Sequence, residues 1–212
     1  EEDLVKYAFA LFLNHDFAKS LEVADMGLQK NPRHAAFNRL AMYNYTDLKR
    51  FDEAIKAADV FFNECDKADY SYLDYMYYGH LLEDLKKYDD AVVQYEKAVE
   101  MDPTKTDLYK NISAAYEQKN DYKKAISAYQ KYYSSLDKEK QTPDLQFQFG
   151  RLYYGAGTQP DSLTITVEER KQALASADSV FQVIAVAAPD SYLGNFWRAR
   201  ANSALDPETT QG

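Results

Sequence analysis

The strongest constraint on this chain is recurrence. Residues 75–103 read YMYYGHLLEDLKKYDDAVVQYEKAVEMDP, and the same pattern returns along the sequence. Pro32 and Pro103 each close an apolar helical run at the same phase, and Asp66 and Asp137 hold the corresponding places, at intervals of 34, 37 and 34 residues. A period in this range predicts an all-α solenoid of stacked helical hairpins. Each such unit can bury its apolar face only against its neighbours.

The first unit shows how the hairpin is written. Leu4, Tyr7, Ala8 and Leu11 recur at helical spacing, and Asn14-His15-Asp16 breaks the run. Phe17, Leu21, Ala24 and Leu28 resume it until Asn31-Pro32. Two helices joined by so short a break pack antiparallel. The spacing places units at about 1–34, 35–71, 72–105, 106–142 and 143–190, with a terminal helix over 191–205 and a polar tail over 206–212. One repeat domain over 1–205 is the expected organisation.

Small residues mark where helices must cross closely. Ala8, Gly79, Ser113 and Gly150 hold one place in the first helices, with Met42 the exception. Ser20, Ala54, Ala91, Ala125 and Ala177 hold one place in the second. Bulky side chains at a crossing force axes apart. A mid-helix glycine costs about 1 kcal/mol against alanine, so Gly79 and Gly150 need a packing reason.

The pattern resembles the tetratricopeptide repeat family. Its carriers are Tyr75, Tyr78-Gly79, Leu82, Tyr88, Ala91, Tyr95, Ala98 and Pro103, and the Gly150 helix with Ala177, Phe181 and Pro189 is similar to the two halves of another unit. The resemblance implies a right-handed superhelix of about five hairpins plus a terminal helix. It implies a concave groove lined by each hairpin's first helix, protein or peptide binding, and no intrinsic catalysis. Inward positions would include Arg39, Tyr43, Tyr77, His80, Lys110, Asn111, Phe147, Arg151 and Tyr154, with Trp197 and Arg200 from the last helix. Aromatics with Arg are common anchors of binding surfaces; the same residues could equally pack on neighbouring helices. Some family members clamp a peptide's terminal carboxylate with Lys and Asn. Here Val5 and Phe9 stand in the first clamp pair and Ala114 replaces the Asn after Lys110, which argues against that ligand class. The Tyr-rich repeats and the ending AAPDSYLGNFWRARANSALDPETT look like bacterial envelope repeat proteins, Bacteroidetes among them. That flavour leans toward the periplasm, with the cytoplasm as the alternative.

The fifth unit departs from the rule. Its first helix is expected near Pro143–Tyr154 and its second from about Thr166 to Ala187. Between them lies an inserted loop over 155–165, where a tight turn would suffice. Thr166 with Glu169 three residues on is a capping-box signature for the second helix. Long loops are frequent carriers of function, and also a cheap place for an insertion.

The first helix carries another departure. Phe9, Phe12 and Leu13 fall on its inner face beside Ala8 and Leu11, so it is apolar nearly all round and is expected to be covered. We expect a piece of a longer protein, with an upstream repeat over Phe9, Phe12 and Leu13.

Charge and chemistry narrow the function classes. Residues 1–103 hold 12 Lys+Arg against 21 Asp+Glu, so the whole formal charge of −9 lies in the first half. The sequence shows no basic stripe of the kind that binds a phosphate backbone, so nucleic acid is not an expected partner. No apolar run approaches the roughly 18 residues of a spanning helix. Cys65 is the only cysteine, which excludes an intramolecular disulfide. His15, His34 and His80 lie in different units, and His15 and His34 sit at turns where solvation is ordinary. Glu83-Asp84 and Asp89-Asp90 flank a turn but are interrupted by Lys86-Lys87. No catalytic residues, metal ligands or cofactor are expected. The sequence favours a non-catalytic interaction module, with a structural arm of a larger envelope protein as the alternative.

Overall fold

The computed structural model describes residues 1–65, 69–160 and 165–205. Asp66, the middle of the predicted loop (161–164) and the tail 206–212 lie outside them. The described residues form eleven α-helices, a short 3-10 turn at Lys138–Lys140, and no strand. The chain divides into two compact units, Glu1–Leu108 and Tyr109–Gly212.

The first unit holds α1 (Glu2–Leu13), α2 (Phe17–Leu28), α3 (Ala35–Asp47), α4 (Phe51–Asn63), α5 (Tyr72–Asp84) and α6 (Tyr88–Met101). Successive helices pack in pairs, and the first helices α1, α3 and α5 also touch in series along one side. The second unit holds α7 (Leu108–Gln118), α8 (Tyr122–Ser135), α9 (Pro143–Gly157), α10 (Val167–Ala187) and α11 (Tyr192–Leu205). There α8 packs on α9, α9 on α10, and α10 on α11.

The small residues sit where the crossings are. Ala8, Ser20, Ala54, Ala91, Ala125 and Ala177 are fully buried. A Cβ added at Gly79 would lie 2.5 Å from a ring carbon of Tyr95, and one at Gly150 would lie 2.4 Å from Phe181. Each glycine is therefore the seat of a buried aromatic ring from its hairpin's second helix. Where serine takes the place, its hydroxyl is satisfied across the crossing: Ser20 Oγ donates to Ala8 O and Ser113 Oγ to Ala125 O, both at 2.8 Å.

The turns of the first four hairpins share one conformation. His15, Lys49, Lys86 and Asn120 are left-handed, with φ of 59°, 59°, 59° and 58°. At the first turn, His15 N–H donates to Phe12 O and Asp16 N–H to Leu11 O, both at 2.9 Å. The other three repeat this pair of bonds. This double bond capping of a helix end needs a residue at positive φ, which costs a non-glycine residue roughly 1–2 kcal/mol.

The fifth hairpin breaks this rule. Its first helix runs on to Gly157, three residues past the expected end at Tyr154. Thr166 and Glu169 close a reciprocal cap on α10, as the sequence predicts.

Candidate functional site

Four of the eleven predicted groove residues lie in the first unit, where the inner row is paved by its own rings. Phe12 packs on Tyr43 (5.5 Å between centroids) and Tyr77 (5.8 Å), and Tyr43 stacks on Tyr77 at 4.2 Å. His80 continues the column at 6.2 Å from Tyr77 and 5.6 Å from Tyr95. Tyr43 is 2% exposed, so it belongs to the core rather than to a groove surface. Phe12, expected to await an upstream cover, is buried beneath the next two repeats' tyrosines, whereas Phe9 and Leu13 remain exposed. His34 is half-buried, 4.6 Å from the Phe37 ring, rather than solvated.

Burial governs ionisation along this column. It pushes the Tyr43 and Tyr77 hydroxyls well above the ordinary phenol range, aided by the charges of Asp74 and Asp47 respectively. Tyr77 donates to Asp47 Oδ2 at 3.3 Å, and burial raises the Asp47 carboxyl. Burial also lowers His80, against the pull of Glu83, Asp84 and Asp47.

Arg39 is drawn inward by a carboxylate that the sequence reading passed over. Asp74 is fully buried. Its Oδ1 accepts from Arg39 Nε at 2.7 Å and Tyr43 OH at 2.6 Å. Its Oδ2 accepts from Arg39 Nη2 at 3.1 Å, Ser71 N–H at 2.7 Å and Ser71 Oγ at 3.0 Å. Arg39 also donates to Asp69 O and lies over the Phe61 ring. Asp74 thus ties α3 to the start of α5. The signal available was Ser71 with an acid three residues on, the form of a helix start.

The other seven predicted residues lie in the second unit. Lys110 is exposed, with its ammonium 4.9 Å from the Tyr132 ring, and Asn111 is half-buried. Arg151 reaches Gln148 on its own helix at 3.1 Å and Glu117 of α7 at 3.5 Å. Phe147, Tyr154, Trp197 and Arg200 come together. Trp197 meets Phe147 at 5.7 Å and Tyr154 at 5.3 Å, both edge-on, and stacks on Phe181 at 5.5 Å. The Arg200 guanidinium lies over Trp197 (4.8 Å), Tyr154 (5.3 Å) and Phe196 (5.8 Å). Phe196 is 47% exposed and was absent from the sequence-derived set. Tyr154, Phe196 and Arg200 border a shallow cleft of about 410 Å³ with Ala199, Ser203 and Ala204.

Residues 75–105 and 106–135, which span α5–α6 and α7–α8, match the tetratricopeptide repeat model. The chain carries tetratricopeptide repeats. The C-terminal part of a TPR repeat-containing protein from Cytophaga hutchinsonii is 27% identical, with a TM-score of 0.71 over 98% of this chain and 74% of that one. YrrB, described as a TPR protein with an unusual peptide-binding site, is 15% identical (TM-score 0.62; 89% of this chain, 91% of that one). MamA from Desulfovibrio magneticus is 14% identical (TM-score 0.60; 85% and 93%). The last two likenesses concern the fold alone. No curated protein matches the sequence.

These repeats make the chain an all-helical scaffold of the protein-interaction kind. Among the described residues no three His, Cys, Asp or Glu side chains converge as metal ligands. None of the described helices is long and apolar enough to cross a membrane.

Proposed function

We propose that this chain is a non-catalytic protein-interaction module that holds an extended peptide on the first-helix face of its second unit. The observation that carries this reading is the Arg200 guanidinium stacked on Tyr154, Phe196 and Trp197 beside an open cleft. Rings hold the guanidinium flat by cation–π attraction. A guanidinium carries a fork of N–H donors suited to a carboxylate or a peptide carbonyl. Arg and aromatic residues are the side chains most often found as binding hot spots. In the first unit, by contrast, Arg39 and Tyr43 are consumed by Asp74, which leaves that row structural.

The test is to pan the protein against a phage-displayed peptide library and measure the selected peptides on variants. Arg200→Glu should weaken them about tenfold or more, the loss of roughly 1.4 kcal/mol that a hot spot exceeds. Selected peptides that bind Arg200→Glu and Tyr154→Ala unchanged would refute the assignment.

A second reading, a structural arm docking on other domains, draws on exposed apolar residues of α10 and α11. Val183, Val186, Tyr192 and Leu193 are 54%, 75%, 74% and 41% exposed.

A further inference from the structure

A pocket of the first unit lies between α4, α6 and the segment that enters α5. Its lining is aromatic. Phe62 stands near the end of α4, Tyr70 in the link to α5, and Tyr75 and Tyr78 one turn apart on α5. Phe62 is nearly parallel to Tyr70 (5.4 Å between centroids, 23°) and to Tyr78 (5.2 Å, 27°). Tyr75 lies 5.4 Å from Phe62 and 5.9 Å from Tyr70. The pocket holds about 320 Å³, at the lower end of the roughly 300–1,000 Å³ of ligand sites.

The link that carries Tyr70 is held from both sides. Asp69 O accepts from Arg39, and Ser71 and Asp74 form the capping box of α5. The Tyr70 hydroxyl donates to Phe62 O at 3.1 Å. These bonds fix the ring wall without any ligand.

Polar groups edge the rings. Asp59 and Asn63 come from α4, and Gln94 and Lys97 from α6. The Lys97 ammonium lies 5.6 Å from the Tyr75 centroid, and Asn63 Nδ2 donates to Asp59 at 3.4 Å. The lining therefore carries one carboxylate, one ammonium and no net charge. Among the described residues, the Tyr75 and Tyr78 hydroxyls and the half-buried Gln94 amide make no hydrogen bond. Burial raises both hydroxyls above the ordinary phenol value, so they keep their protons and can donate.

Each property excludes a class of occupant. Asp59 opposes an anion and Lys97 a cation. A hydrocarbon would bury the amide and the hydroxyls without partners, which is costly. A neutral molecule with an apolar face and a rim of hydroxyls meets all three conditions, and a pyranose ring is such a molecule. Its C–H face lies on the electron-rich face of an aromatic ring. Its hydroxyls both donate and accept, as amide, carboxylate and phenol groups require.

We propose that this pocket binds a neutral pyranose residue of a glycan, independently of the Arg200 cleft. The test is saturation-transfer NMR on the whole chain, with methyl glucoside, methyl galactoside, methyl mannoside and N-acetylglucosamine at millimolar concentration. At least one should receive transfer at its ring C–H protons, whereas methyl glucuronide and tetramethylammonium should receive less. Tyr75→Ala removes a ring and Gln94→Ala the free amide; each should weaken the responding sugar about tenfold in a titration. Gln94→Ala places a better helix former in α6, so it decides the matter alone if Tyr75→Ala fails to fold by circular dichroism. Arg200→Glu should leave the titration unchanged. Absence of transfer to every neutral sugar, an equal or stronger response from either charged probe, unaltered binding in a folded Tyr75→Ala or Gln94→Ala, or loss of binding in Arg200→Glu would overturn the proposal.

Discussion

Asp74→Ala offers the sharpest test of how the first unit is held together. The carboxylate is fully buried and accepts five hydrogen bonds, from Arg39 (two), Tyr43 and Ser71 (two). Removing it strands the Tyr43 hydroxyl, in a residue only 2% exposed, and the Ser71 N–H at the start of α5. Breaking a buried pair from one side costs about 3–5 kcal/mol. The Arg39 side chain is 28% exposed, so its guanidinium regains some hydration and the expected loss is near 3 kcal/mol. The damage falls on one neighbour interface, α3 against α5, and repeat stability is a sum of such terms. Urea unfolding followed by circular dichroism should therefore show the loss, and hydrogen exchange should place it in α3 and α5. Tyr43→Phe alone should cost about 1 kcal/mol. Combined with Asp74→Ala it should cost less than the sum, since the two groups share a bond. A loss under about 1 kcal/mol for Asp74→Ala, or strict additivity with Tyr43→Phe, would show that the hub is incidental.

Three further outcomes follow from particular positions. Gly79→Ala should destabilise by about 1–3 kcal/mol through overpacking against Tyr95, outweighing the roughly 1 kcal/mol gained in helix propensity; a raised melting temperature would contradict the crossing geometry. Lys86→Gly, at φ 59°, should stabilise by up to about 1 kcal/mol and raise Tm by about 2–4 °C, whereas Lys86→Val should lower it. His80 is held below its ordinary pKa by burial, so the unfolded chain binds its proton first. The stability it contributes is present above about pH 6.5 and is lost as pH falls through the folded value. His80→Asn should flatten that loss between pH 7 and 5.5 in urea melts at each pH, and an unchanged slope would count against the burial argument.

Much of the fold was legible because its causes are local. Apolar spacing of three and four residues dictates a helix wherever it occurs. A glycine in mid-helix announces a close neighbour, as Gly79 and Gly150 did. The Thr166–Glu169 cap is complete within four residues. The left-handed turn residues were not legible: Lys49 and Lys86 carry no glycine signal, because the two bonds of the cap outweigh the strain.

The candidate site was legible only in part. Phe147, Tyr154, Trp197 and Arg200 were among the inward positions that the repeat resemblance implies, and they do converge. Tyr43 and Arg39 share the same phase but face Asp74, a residue from the next hairpin. No periodicity within α3 reports a partner some thirty residues away. Phe12 was misread for the same reason, since its cover comes from later repeats.

The sequence by itself thus determined the hairpins and their crossings, because hydrogen-bonded turns, helix periodicity and side-chain size act between residues close along the chain. Tertiary structure alone decided which polar side chains are consumed internally and which rings gather around Arg200. Those outcomes depend on which groups from distant repeats arrive at the same point and satisfy one another before solvent or a ligand can.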